Sequence, residues 1–175
     1  ISQRILAMKR VVDAGYLTAI HFDPMLLTDN WQQDYLQLVD EITSLIPADK
    51  IAWISIGSLR FNPEMKRKML LNYPSSRVAV YEMVAGSDGK VRYVKPMRYQ
   101  MYRYLYDLLM TRYDKNPPFI YLCMERMDMW EKVFGYKPDS IQHLDYLMTE
   151  SLYQRFPSLV TQKPDINRYL SLPIE

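Results

Sequence analysis

The feature that most constrains the fold is a run of apolar residues at 50–61, KIAWISIGSLRF. A nearly continuous apolar run of this kind is typical of a parallel strand that is buried on both faces. Comparable short runs occur at 16–22 (YLTAIHF), 77–84 (RVAVYEMV) and 118–125 (PFIYLCME). Because these runs alternate with segments of helical apolar spacing, the sequence predicts an α/β fold in which parallel βα units share one sheet.

Turn chemistry places helix boundaries and one hairpin. Gly15 and Gly135 are C′ glycines that end helices, and Pro63 is placed to open one. The dipeptide Asp88-Gly89 lies between two short strand-like runs, which predicts an inserted β-hairpin. Further helices are predicted at 28–46, 63–73, from 96 onward and at about 140–155. Four βα units without a glycine-rich phosphate loop fit part of a barrel better than a nucleotide-binding open sheet.

Composition bounds the class of protein. The chain has 175 residues, 49% hydrophobic and 24% charged, as expected for a single globular domain over 1–175. No apolar run approaches the roughly 18 residues of a membrane span, so no membrane partner is expected. The single cysteine, Cys123, excludes an internal disulfide framework and fits a reducing cytoplasm. Because the chain opens with Ile1 in a helix-like segment, we expect it to be part of a longer polypeptide.

Positive charge and tyrosine are concentrated in the central third. The net charge is +2, but residues 60–115 hold twelve Lys/Arg against five Asp/Glu, together with eight of the fifteen tyrosines. Basic residues interleaved with aromatic residues suit a nucleic-acid surface, because cations neutralise phosphates and rings stack on bases. A solvated charged face with buried tyrosines is the alternative reading of the same composition.

Polar side chains follow the ends of the predicted strands. They are His21 and Asp23, then Ser55, Ser58 and Arg60, then Glu82, then Cys123 and Glu125. In a barrel, this end of the strands forms the active site. His21 and Asp23 could ligate a metal or transfer protons, or simply end a strand. Arg60 could bind a carboxylate or phosphate, or make a structural salt bridge. No spacing completes a metal site, and the sequence assigns no catalytic residue.

Several strings together resemble the spore photoproduct lyase family of radical S-adenosylmethionine proteins. They are RILAMKRVVDAGYLTAIHFDPML, WQQDYLQLVDEI, IAWISIGSLRFNPEMK, YEMVAGSDGKVRY and YLCME, in order from Arg4 to about Gly135. The resemblance implies the C-terminal half of a partial TIM-type (β/α)6 barrel. It also implies S-adenosylmethionine, cleaved by a four-iron four-sulfur cluster on C-x-x-x-C-x-x-C, as the source of a 5′-deoxyadenosyl radical. In the characterised lyases that radical splits a methylene-bridged thymine dimer in spore DNA.

The chain departs from this pattern because one cysteine cannot supply three thiolates to a cluster. We therefore expect the chain alone to hold neither cofactor and to be inactive, with the cluster in a missing N-terminal half. The resemblance places five residues at the cofactor and substrate cavity: His21, Asp23, Ser55, Ser58 and Arg60. It also places residues 86–93 in a hairpin that lies against the DNA lesion in the repair enzymes. Lys90, Arg92 and Tyr93 are then candidates for phosphate contact and base stacking.

Three hypotheses follow from the sequence. The first is the back half of a radical enzyme of nucleic-acid repair or modification, with DNA as a partner. The second is a binding module without chemistry that holds DNA or RNA. The third is a half-barrel that forms a homodimer to cover an open sheet edge, because an exposed edge invites pairing.

Overall fold

The computed structural model describes residues 1–78 and 80–171. Its helices are α1 Ser2–Asp13, α2 Trp31–Leu45, α3 Pro63–Asn72, α4 Lys95–Arg112, α5 Met127–Phe134, α6 Ile141–Arg155 and α7 Ile166–Leu170, with a 3₁₀ turn at Ala48–Lys50. Its strands are β1 Thr18–Met25, β2 Ile51–Ser58, β3 Arg60–Phe61, β4 Met83–Ala85, β5 Val91–Tyr93 and β6 Phe119–Leu122. The predicted helix ends at Gly15 and Gly135 are confirmed, since both glycines have positive φ, +93° and +77°.

Three strands form a parallel sheet in the order β1-β2-β6. The register is in phase across the sheet, so that Ile20 lies beside Ile54 and Ile54 beside Ile120. Helices α2 and α4 follow β1 and the hairpin region, and α5 follows β6. The prediction of an α/β fold with parallel strands is confirmed for these three strands.

The run at 77–84 does not provide a fourth parallel strand, and that expectation is wrong. The strand in this region is the short β4, which pairs antiparallel with β5 in a different sheet. The N–H of Val80 donates to the carbonyl of Arg77 (3.1 Å), and this local turn interrupts the apolar run. Ala79 lies outside the described residues. A short apolar run alone does not determine which sheet a strand joins, because hydrophobic periodicity gives no information about which strands pair.

A second, antiparallel sheet has the order β3-β5-β4. Its β4–β5 connection is the predicted hairpin, with Gly89 at φ +73° and the Gly86 N–H donating to the Lys90 carbonyl (2.8 Å). Strand β3 begins two residues after β2 ends, so the predicted single strand at 50–61 is divided between both sheets. The hairpin sheet is thereby attached directly to the carboxyl end of the central parallel strand.

The two faces of the parallel sheet differ in their surroundings. One face carries a row of apolar side chains that are at most 8% exposed: Ile20, Phe22, Ile54, Ile56, Ile120 and Leu122. They belong to one hydrophobic cluster with buried residues of α2, α4 and α5, including Ile42, Leu105 and Trp130. Removing this apolar surface from water is the main stabilising term of the fold. The helices therefore cover this face, and the other face is available for a site.

Helix α6 is attached to the amino end of the central strand through one side chain. The Arg155 guanidinium donates to the carbonyls of Ala48 (2.6 Å), Ile51 (2.9 Å) and Ala52 (3.2 Å).

Within the described residues, no helix is both long and apolar enough to cross a membrane.

Candidate functional site

The uncovered face of the parallel sheet carries three rows of side chains, and we call it the open face. Residues that alternate with the buried isoleucines must point to this side. In order from the amino to the carboxyl end, two rows follow from the register, Ala19–Trp53–Phe119 and His21–Ser55–Tyr121. The third row, Asp23–Gly57–Cys123, follows from contacts, because the Asp23 carboxyl group lies over Gly57 and both Asp23 and Cys123 lie beside Arg60. Cys123 continues β6, since its N–H donates to the Ile56 carbonyl (2.8 Å). The open face is thus apolar at one end and polar toward the carboxyl ends of the strands.

The middle row is connected by hydrogen bonds. His21 Nδ1 lies 2.6 Å from Ser55 Oγ, and Ser55 also contacts the Tyr121 hydroxyl. Ser55 is fully buried, whereas His21 is exposed. The serine therefore joins an exposed imidazole to a half-buried phenol across three strands. This arrangement can orient polar groups of a ligand through hydrogen bonds.

The last row contains an ion pair that closes the carboxyl end of the open face. Arg60 Nη2 lies 3.4 Å from Asp23 Oδ2 and 3.8 Å from Cys123 Sγ, and Arg60 Nη1 lies 3.5 Å from the Cys123 carbonyl. Gly57 makes room for the carboxylate: a Cβ at this position would lie 2.7–2.9 Å from three Asp23 atoms. The sequence predicts His21, Asp23, Ser55 and Arg60 at one cavity, and the structure places them in two adjoining pairs, His21–Ser55 and Asp23–Arg60.

The surroundings of Cys123 keep its thiol protonated. Burial raises the pKa of the Cys123 thiol, and the adjacent Asp23 carboxylate raises it further, while Arg60 acts in the opposite direction. Burial also raises the pKa of Tyr121, and the neighbouring Cys123 adds to that effect. A raised pKa lowers the thiolate fraction at neutral pH, so Cys123 is a poor nucleophile as placed.

Alkylation of Cys123 by iodoacetamide should be slower in the folded chain than in urea at the same pH. We expect Asp23→Asn to speed alkylation of the folded chain by about threefold to tenfold, because Arg60 then acts on the thiol without an opposing carboxylate. Arg60→Gln should slow it. An Asp23→Asn chain that reacts no faster than the unmodified chain would contradict this account of the thiol.

Ser58 does not belong to the open face, and its assignment to the cavity is corrected. It lies on the helix-covered side, 3% exposed, where the Tyr102 hydroxyl contacts its N–H (3.0 Å) and its Oγ (2.9 Å). Tyr102 also donates to Glu125 Oε1 (2.9 Å), which accepts a second bond from Arg98 Nε (2.7 Å). Burial is the largest cause of the strongly raised pKa of Tyr102.

This buried polar network continues into the hairpin sheet. Arg98 also donates through Nη1 to the carbonyl of Tyr93, and the Tyr93 hydroxyl accepts from the N–H of Leu27 (3.2 Å). Tyr93 is fully buried, so the expectation that its ring stacks on a base is wrong for this arrangement. Tyr93 is instead a structural residue that joins the hairpin sheet to the loop after β1. Together these bonds fix the hairpin sheet relative to the carboxyl end of the parallel sheet.

The structure accounts for much of the central positive charge. Seven of the cations in 60–115 form ion pairs: Arg60–Asp23, Arg77–Asp29, Arg92–Asp88, Lys95–Asp128, Arg98–Glu125, Arg103–Asp107 and Arg112–Asp40. Of the three hairpin residues proposed from sequence, Lys90 is half-buried and Arg92 is mostly buried beside Asp88. Lys66, Arg67 and Lys68 lie exposed on α3, which has no buried residue.

Several residues of the site are not predicted from the sequence. Tyr121 completes the middle row, and its place two residues before Cys123 on one strand was the available signal. Gly57 was passed over because its role depends on a carboxylate from another strand. The side chains of Arg98 and Tyr102 lie four residues apart on α4, but nothing in the sequence indicates their partner Glu125.

Comparison with known proteins places this geometry in a family. The family model described as spore photoproduct lyase matches residues 1–115, most of the chain and including β1, β2 and the hairpin sheet. The chain belongs to the spore photoproduct lyase family. A curated relative, the spore photoproduct lyase of Clostridium acetobutylicum, is 25% identical over 107 residues, which are 61% of this chain and 30% of that protein.

Solved structures show the same fold. A cysteine-to-alanine variant of spore photoproduct lyase superposes with a TM-score of 0.57 at 18% identity, covering 69% of this chain and 37% of that one. A related variant, solved with bound AdoMet and dinucleoside spore photoproduct, gives a TM-score of 0.55 at 19% identity, covering 68% and 36%. The chain thus spans about a third of the length of these family members.

Proposed function

We propose that this chain is the C-terminal part of a radical S-adenosylmethionine protein that repairs or modifies nucleic acid. The three parallel strands are then one half of a (β/α)6 barrel, and the open face is part of its interior. The carrying observation is the open face itself: within the spore photoproduct lyase family, three neighbouring strands place six polar or small residues in two adjoining rows. In barrels, ligands bind where such strands end.

The iron–sulfur cluster does not fit this chain. Such a cluster needs thiolates from several cysteines, and the sequence contains one. Among the described residues, no group of three or more His, Cys, Asp or Glu side chains could hold a metal ion. The cluster therefore belongs in our proposal to a part of the protein outside these 175 residues, and the chain by itself has no activity.

S-adenosylmethionine fits the open face better. Its ribose hydroxyls, ammonium and carboxylate need hydrogen-bond donors and acceptors, which His21, Asp23 and Tyr121 supply, while the buried Ser55 holds His21 and Tyr121 in place. When bound, this cofactor supplies the radical chemistry of the family. We propose that these side chains orient it or the neighbouring substrate base, and that the covered sheet face keeps water away from that side of the site.

The proposal is tested with the upstream coding sequence and with the full-length protein that the complete reading frame encodes. We expect the upstream sequence to contain C-x-x-x-C-x-x-C, and the full-length protein with a reconstituted cluster to release 5′-deoxyadenosine from S-adenosylmethionine. The 175-residue chain, carried through the same anaerobic reconstitution, should release none. His21→Ala in the full-length protein should lower the rate by about tenfold or more if the middle row orients a reactant. An upstream sequence without three clustered cysteines would refute the proposal.

Self-association is the second candidate, and one observation favours it. Within the described residues β1 pairs only with β2, so its other edge presents free backbone N–H and C=O groups. In the first proposal this edge receives a strand from the rest of the barrel, whereas in the second it receives another copy of the chain. Sedimentation equilibrium of the 175-residue chain tests the second candidate, which predicts a dimer at micromolar concentration, and a monomer there would refute it.

A further inference from the structure

We propose that Arg60 and Arg92 together form an oxyanion-binding site at the junction of the two sheets. This inference rests on the proposed function for the identity of the ligand, but not for the existence of the site. It reassigns Arg60, which the sequence placed with the cofactor residues, to a pair with an arginine of the hairpin. The ligand chemistry is a phosphate or carboxylate that accepts paired hydrogen bonds from planar guanidinium groups.

The first support is the register of the antiparallel sheet. Arg60 of β3 lies directly opposite Arg92 of β5, and Arg92 lies opposite Val84 of β4. Directly opposed residues share a face, with Cβ atoms about 4.5–5.5 Å apart. Like charges in such positions are destabilising unless an anion lies close by. The register thus places both arginines on one face, and Asp23 and Asp88 are the carboxylates that offset their repulsion until an oxyanion enters.

The second support is the unused hydrogen-bonding capacity of both side chains. The contacts of Arg60 with Asp23 and Cys123 are all 3.4 Å or longer. Arg92 Nε is buried and has no hydrogen-bond partner among the described residues, although Nη2 donates to Asp88. A buried N–H without a partner is costly and needs an explanation. A ligand oxygen would supply that partner.

The third support is access to the pair. The other face of this sheet is closed, with Phe61 5% exposed and Tyr93 fully buried. On the face that carries Arg60 and Arg92, the third strand of the sheet presents Val84, which is 43% exposed. Gly86 leaves space beside the Arg92 guanidinium, since a Cβ at this position would lie 2.6 Å from Arg92 Nη2. Asp23 and Asp88 then act as internal partners that an entering oxyanion replaces.

Titration of the 175-residue chain with inorganic phosphate tests the site. We expect Arg60→Gln and Arg92→Gln each to weaken phosphate binding by about tenfold. The Arg60→Lys/Arg92→Lys variant should also weaken binding, since lysine keeps the charge but not the paired geometry. Arg112→Gln, which removes an exposed arginine with its own aspartate partner, is the control and should leave binding within twofold of the unmodified chain, a limit set by the small worth of surface pairs.

Removing the aspartate beside Arg92 is expected to have the opposite effect on phosphate affinity. Asp88→Asn should tighten phosphate binding, because it removes the competitor of the ligand. Asp107→Asn, which changes the net charge equally but frees a surface arginine on α4, should have little effect. Circular dichroism of every variant shows whether it is folded, so that a loss of binding is read only from folded chains.

Two competitors then identify the source of the oxyanion. Displacement of phosphate by a thymidine dinucleotide assigns the site to a phosphodiester of nucleic acid, and displacement by S-adenosylmethionine assigns it to the cofactor carboxylate. Either result supports the oxyanion site. Equal phosphate binding by the unmodified chain and by both glutamine variants, or equal effects of Asp88→Asn and Asp107→Asn, would overturn it. These outcomes do not depend on the cluster, so they are separable from failure of the proposed function.

Discussion

Arg98→Met should lower the free energy of unfolding of the chain by about 3–5 kcal/mol, the usual cost of removing one partner from a buried ion pair. The side chains of Arg98 and Glu125 are only 9% and 4% exposed. The variant leaves a buried carboxylate with Tyr102 as its remaining donor and removes a donor from the Tyr93 carbonyl. Urea unfolding followed by circular dichroism measures the change.

A matched control separates this pair from ion pairs in general. Arg112→Met breaks a contact with Asp40 of the same length, 2.7 Å, between side chains 37% and 47% exposed. We expect it to cost about 1 kcal/mol or less, because water screens the pair. The Arg98→Met/Glu125→Leu variant should recover part of the lost stability, since no charge is then left unpaired. Equal costs at the two arginines would show that the network does not fix the hairpin sheet.

Gly57→Ala should destabilise the chain by about 1–3 kcal/mol, the range for added volume in a packed region. Gly57 is buried in the central strand, and its new methyl group would lie 2.7–2.9 Å from the Asp23 carboxylate. The carboxylate would have to leave Arg60 and Cys123. Urea unfolding gives the stability, and the alkylation rate of Cys123 reports on the carboxylate.

A double-mutant cycle tests the cause. All three atoms in the way belong to the Asp23 carboxyl group, so Asp23→Ala removes each of them. Gly57→Ala/Asp23→Ala should therefore cost less than the sum of the two single variants. Additive costs would mean that the glycine is required for another reason.

The sequence predicted the layers of this fold better than its pairing. The alternation of apolar runs and helical segments was sufficient for the α/β class, and Gly15, Gly89 and Gly135 were sufficient for three chain reversals, because local conformation depends on local residue type. The prediction of a parallel strand at 77–84 was wrong because the composition of this run suits a strand of either sheet. Only the hydrogen-bond partners of β5 determine where it lies.

The candidate site shows the same division. His21, Asp23, Ser55 and Arg60 could be grouped because they follow predicted strands. Ser58 and Tyr93 were placed wrongly because each lies on the opposite face of its strand from the site residues grouped with it, Ser55 on β2 and Arg92 on β5. The prediction that residues 60–115 form a basic surface overlooked their acidic partners at Asp23, Asp29, Asp40 and Glu125, which lie far away in sequence.

The attachment of α6 to β2 bears on where this protein can be shortened. The segment matched by the family model ends at residue 115, whereas β6 begins at Phe119 and Arg155 lies further still. A chain trimmed to the matched segment would lose Tyr121 and Cys123 from the open face. It would also lose the Arg155 donor shared by two carbonyls of the central strand and one of the preceding 3₁₀ turn. Without β6, strand β2 would become an edge strand of the parallel sheet. The part of the chain that keeps the parallel sheet intact thus extends beyond the matched segment, and α6 braces the amino end of the central strand rather than being an appendage.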